Sequence, residues 1–162
     1  MRKGRFLAGM GSGLFARAGK RFRRARKPVP VALGDLLRQP GARQGFSWSP
    51  TTGTRPTDGY MVATTGRTAQ FPEHILDDPD AAAEAIDDYL MRNRDVFEND
   101  PNMHLGGWVE DGKLWVEPSH NIAGRDEAVE LARNTDQIAI YDVRTGDYIQ
   151  TGGAGGFLEA DP

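Results

Sequence analysis

Four side chains in the second half of the chain are of types that move protons: Glu117, His120, Asp126 and Asp142. A carboxylate beside an imidazole can serve as a general acid–base pair. The nucleophile that such a pair would activate is missing from the pattern, because no glycine-flanked serine forms a nucleophile elbow. The histidines are His74, His104 and His120, and no two share the helical His-Glu-x-x-His spacing of a zinc site. Asp77, Asp78 and Asp80 lack the alternate spacing and the closing glutamate of a calcium loop. Gly152 to Gly156 is followed by no Lys-Ser/Thr, so it is no phosphate loop. There is no cysteine, which excludes disulfides and thiolate metal sites. The motifs point to a non-enzymatic chain with no catalytic residue, metal or cofactor.

The residue types that remain are those of binding surfaces. Residues 105–117 read as a β-hairpin around an Asp111-Gly112 turn, which sets Glu110 opposite Lys113, Val109 opposite Leu114 and Trp108 opposite Trp115. Alternation puts Leu105, Val109, Leu114 and Val116 on a core face. Trp108 and Trp115 fall on the other face, fenced by Glu110, Lys113 and Glu117. Paired aromatics on an open sheet can stack nucleic-acid bases. The two glutamates oppose phosphate, so a protein contact or a self-contact is favoured. Phe46 and Trp48 lie upstream in a stretch otherwise rich in Pro, Gly, Ser and Thr. Aromatics in such a stretch are expected to pin it to a surface, and the Trp108/Trp115 face is the candidate. These four residues are the partner-contact candidates, and Trp108→Ala on an open face should cost roughly 1 kcal/mol or less.

The net charge of −3 conceals a division. Residues 1–44 carry 12 Lys and Arg against one acid, Asp35, a net of +11; residues 45–162 carry 8 against 22 acids, a net of −14. Such asymmetry marks a basic arm on an acidic domain. Arg17, Lys20, Arg21, Arg23, Arg24, Arg26 and Lys27 are candidates for binding nucleic acid or an anionic surface. Phe6, Leu14, Phe15 and Phe22 interleave with them as apolar anchors. The apolar stretch from Phe6 to Ala18 is glycine-broken and followed by the basic run, which argues against a secretory signal. No apolar run is long enough to span a membrane.

Four segments are expected: a basic arm at 1–44, a linker at 45–58, an acidic domain at 59–153 and a flexible tail at 154–162. Val31 to Leu37 can form a short helical turn. Within the domain a first strand covers Gly59 to Thr64, and a polar loop runs to Leu76. A helix capped by Asp78, with Pro79 at its first position, runs to about Phe97. Its inner face is Ala82, Ile86, Tyr89, Leu90, Asn93 and Phe97. The hairpin follows, then a helix over 124–134, a strand over Gln137–Val143 and a short last strand over Tyr148–Thr151. The order β-α-β-β-α-β predicts an α+β fold of ferredoxin-like (split βαβ) type. That is an antiparallel sheet with both helices on one face and an extra C-terminal edge strand. Residues 55–155 are expected to fold alone.

From Gly107 to Val129 (GWVEDGKLWVEPSHNIAGRDEAV), then at Asn134 and over Gln137–Val143, the chain resembles a small domain of actinobacterial phage and prophage proteins. That domain occurs alone and as a trailing domain of MuF-type head-morphogenesis (minor capsid) proteins. The resemblance covers roughly residues 59–153 and supplies no catalytic residues. It implies a virion or host-cytoplasm setting and phage structural partners such as capsid, portal or connector, with packaged DNA as a further contact of residues 1–44. The expected function is an accessory structural protein of the virion or head–tail assembly. The alternatives are a nucleic-acid-binding or host-directed effector, and an ADP-ribosyltransferase-like enzyme, whose arginine-strand and glutamate signature is not seen.

Overall fold

The structure is a computed structural model that describes residues 27–64 and 66–155. The anchors Phe6, Leu14, Phe15 and Phe22, and the basic residues from Arg17 to Arg26, lie outside the described residues. Lys27 is described and exposed.

Past Pro28 and Pro30, which deny a helix its backbone donors, a short helix α1 spans Leu33–Leu37. An edge strand β1 follows at Phe46–Trp48, then β2 at Tyr60–Ala63 and β3 at Ala69–Pro72. A 3₁₀ turn covers Glu73–Asp77 and leads into α2, Pro79–Arg92. The Asp78 carboxylate accepts from the amides of Asp80 and Ala81 at 3.2 Å each, as its place before Pro79 predicts. The helix breaks at Asn93, whose side chain donates to the Tyr89 carbonyl, and one further turn, α3, covers Arg94–Phe97. The hairpin is β4 (Met103–Glu110) and β5 (Lys113–Ile122), followed by α4 (Arg125–Asn134), β6 (Ala139–Asp142) and β7 (Tyr148–Gln150).

All seven strands form one antiparallel sheet in the order β1-β4-β5-β2-β6-β7, with β3 also paired to β5. The hairpin register is the expected one, and Asp111 and Gly112 both take positive φ, 51° and 72°, as a primed turn demands. Along the register Leu105, Leu114, Val116, Phe46, Val62 and Ile140 share one face. There α1, α2 and α3 bury Leu33, Leu36, Leu37, Ile86, Tyr89 and Phe97 against Leu105, Leu114 and Val116, while α4 buries Ala128 and Ala132 against Tyr60, Val62 and Ile140.

Several expected boundaries shift. The stretch expected as a linker contains β1, and Leu33, Leu36, Leu37 and Ala42, assigned to the arm, are buried in the packed unit. Phe46 and Trp48 do pin this segment down, but on the helix-covered face rather than beside Trp108 and Trp115. The ring of Phe46 lies across Gly107, where any Cβ would collide with it, and the Trp48 indole donates to the carbonyls of Val31 at 2.9 Å and Gly53 at 3.1 Å. The polar loop before α2 holds β3 and the 3₁₀ turn. Ala154 and Gly155, assigned to the flexible tail, are held instead: their amides donate to the carboxylate and carbonyl of Asp136, both at 2.8 Å, and the rest of the expected tail lies outside the described residues.

Candidate contact face and a buried carboxyl

The sheet face opposite the helices carries Trp108 and Trp115 directly across from one another. Their rings stack with centroids 6.1 Å apart and planes 7° from parallel. The Trp115 indole donates to the Glu110 carbonyl at 3.3 Å. Register puts Met61, Ala63, His104, Glu117 and Ser119 on this same face, and all five are buried. Trp108 itself is only 5 % exposed, so at this residue the face is not the open surface that alternation alone suggests.

Glu117 sits where β5 changes neighbours. Its residues 113–116 pair with β3, and 119–122 pair with β2. The connection between those strands passes alongside, and the Thr68 hydroxyl on it donates to Glu117 Oε2 at 3.5 Å, while the Tyr89 hydroxyl holds the Arg67 carbonyl at 2.7 Å. Glu117 is 2 % exposed and, among the described residues, forms no ion pair. Burial pushes its carboxyl up to about 8, against a small opposing effect of the Thr68 hydrogen bond. At neutral pH it is therefore a neutral acid able to donate a proton to a hydrogen bond, or to ionise on meeting a cation. Burial, and next the charge of Glu117, push the Tyr89 phenol up as well.

The remaining chemistry-bearing residues separate. His120 meets Asp100, Nε2 to Oδ2 at 2.6 Å, a pairing that spacing does not reveal. Asp100 also accepts from the Asn102 amide at 2.8 Å, and His104 Nδ1 lies 2.9 Å from the Asn102 carbonyl. The group clamps the turn that enters β4. Burial is the main cause holding the His104 imidazole below its ordinary value. Asp142 caps its own turn by accepting from the amides of Arg144 and Thr145, Asp126 is exposed in the first turn of α4, and His74 is exposed on the 3₁₀ turn. Among the described residues no three His, Asp or Glu side chains are placed to hold a metal ion.

Acidic side chains gather elsewhere, with Asp80, Glu84, Asp87 and Asp88 exposed along the outer side of α2 beside Met91, itself 73 % exposed. No described helix is long and apolar enough to cross a membrane. Comparison with protein-family models, with curated proteins and with solved structures finds no match.

Proposed function

We propose that the chain is a non-enzymatic accessory structural protein of a phage-type particle, a minor component of the virion or of the head–tail assembly. Its acidic domain docks on other particle proteins, such as capsid, portal or connector, and its basic segment anchors to the assembly, with DNA as a second contact. The observation that carries the reading is the charge division, +11 over residues 1–44 and −14 over the rest. The acids exposed along α2 put part of that charge where a partner can reach it. The resemblance over residues 59–153 supports the phage setting. The strand order β4-β5-β2-β6, with α2 and α4 on one face, supports a ferredoxin-like core, extended by β7 at one edge and by β1 at the other. With Phe46, Trp48 and Trp108 all buried, the partner-contact role passes to Trp115 and the outer side of α2. Mass spectrometry of purified particles tests the proposal: the protein is expected at a fixed copy number, and its absence from particles of a producing host would refute it.

A further inference from the structure

Among the described residues the sheet order ends at β1 on one side and β7 on the other. Sheet edges are commonly blunted by proline or charge. The strand β1 runs into Pro50 two residues on, and β3 ends in Pro72, whereas β7 reads Tyr148-Ile149-Gln150, with neither proline nor charge. Its pairing decides which groups it turns outward. The Thr151 amide donates to the Ile138 carbonyl at 2.9 Å, and the Asp142 amide donates to the Asp147 carbonyl at 2.8 Å. Residues 147, 149 and 151 therefore aim their backbone groups at β6, and alternation directs those of residues 148 and 150 away from it. The Tyr148 ring packs against Tyr141, with centroids 5.2 Å apart. Ile149 lies on the helix-covered side, only partly buried against Val62, Ala132 and Ile140.

We propose that β7 pairs antiparallel with β7 of a second copy of this chain, about a two-fold axis at Ile149, so that the two sheets join into one. The strand is self-complementary about that residue. Residue 148 of each copy faces residue 150 of the other, and both positions direct their backbone groups outward, as a hydrogen-bonded antiparallel pair requires. Ile149 faces its own copy as a non-hydrogen-bonded pair, where side chains approach most closely, and the contact completes its burial beside the helices of both copies. Charge favours the same occupant. Asp147 is exposed, and register sets it opposite Thr151 of the second copy. The Thr151 carbonyl accepts from Arg133 Nε at 3.0 Å, and this guanidinium is exposed as well. Among the described residues neither Asp147 nor Arg133 forms an ion pair. The two-fold brings Asp147 of each copy within reach of Arg133 of the other, so the complementary pair is made twice. An isologous contact of this kind closes at two copies. It presents the acidic outer side of α2 twice on one body. The inference stands apart from the particle reading, because its test uses the purified full chain alone.

The test is covalent trapping, with sedimentation equilibrium beside it. The chain has no cysteine, so Ile149→Cys introduces a single thiol. Facing residues of a non-hydrogen-bonded antiparallel pair have Cα atoms about 4.5 Å apart, within the range of about 4.4–6.8 Å that a disulfide spans. Mild oxidation is expected to convert this variant to a covalent dimer, while Asp87→Cys, exposed on the outer side of α2, stays single. The parent should sediment at twice the mass of one chain. Gln150→Pro removes an amide that points away from β6, a place where an edge strand tolerates proline, so the far-ultraviolet spectrum should hold while the mass falls to that of one chain. Asp147→Lys should weaken association severalfold, and adding Arg133→Glu to the same chain should restore it. A parent that sediments as a single chain at every concentration overturns the proposal, as does an Ile149→Cys chain that couples no faster than Asp87→Cys. A dimer that survives Gln150→Pro, or association indifferent to Asp147→Lys, overturns it too by placing the interface on another surface.

Discussion

Glu117 makes the stability of this domain depend on pH in a direction opposite to that of most carboxylates. Its carboxyl titrates near 4.5 in the unfolded chain and at about 8 in the folded one. Between those values the folded state holds a proton that the unfolded state has released. Stability therefore falls as pH rises through the window and levels off above about 8. The slope is one proton, or about 1.4 kcal/mol per pH unit, and across the whole interval the loss is at most about 5 kcal/mol. His104 acts in the other direction. Its imidazole is held below its ordinary 6.5, so its contribution is present above that value and is lost as the pH falls below it. The two effects separate at pH 7 to 8, where of these two groups Glu117 alone still titrates, its slope declining to about half as the pH nears 8. Urea unfolding followed by circular dichroism at closely spaced pH values reads it directly. Glu117→Gln should abolish the slope and be more stable than the parent at pH 9 by several kcal/mol. Parallel curves for the two proteins from pH 6.5 to 9 would refute the reasoning, because a carboxyl that ionises freely in the folded state cannot be buried as described.

Four further outcomes are expected. Trp108→Ala should cost about 3–5 kcal/mol in the full chain, as for a buried tryptophan and unlike a residue on an open face, measured by thermal melting. Gly107→Ala should cost about 1–3 kcal/mol, because the new methyl meets the Phe46 ring; Phe46→Leu in the same chain should recover part of the loss. Asp78→Ala removes both amide contacts at the start of α2 and should cost about 1 kcal/mol, while Asp78→Asn should cost much less. A fragment of residues 55–155 lacks α1 and β1, and with them Leu33, Leu36, Leu37, Phe46 and Trp48, so calorimetry should show it without the cooperative transition of the full chain.

The elements legible in the sequence are those whose signals are local. Asp111-Gly112 specifies a hairpin register because its backbone requirement falls on two adjacent residues. Asp78-Pro79 announces α2 because a cap and a pre-set φ occur together. The strands β1 and β3 were not legible. They are three and four residues long, too short to show alternation, and their partners lie far along the chain. Phe46 and Trp48 signalled that their segment was held down, but not on which face, since that depends on the glycine at 107 leaving room for a ring. Alternation placed Glu117 beside the tryptophans. Its burial was hidden because it arises where β5 passes from one partner strand to the other, with Thr68 alongside. The His120–Asp100 pair joins residues from opposite sides of the hairpin, a proximity no spacing rule describes.

The central place of the β4–β5 hairpin also governs the order in which the ribosome can deliver a foldable chain. The strands β1, β2 and β3 emerge first, yet each pairs with a hairpin strand made later. At roughly 5–20 residues per second, Trp48 waits about three to eleven seconds for Leu105, its partner in the sheet. During that interval Leu36, Leu37, Phe46 and Trp48 have no sheet to cover, so their apolar surface stays exposed on the nascent chain. Once residue 122 is free, the hairpin closes within microseconds and becomes the template on which the waiting strands assemble.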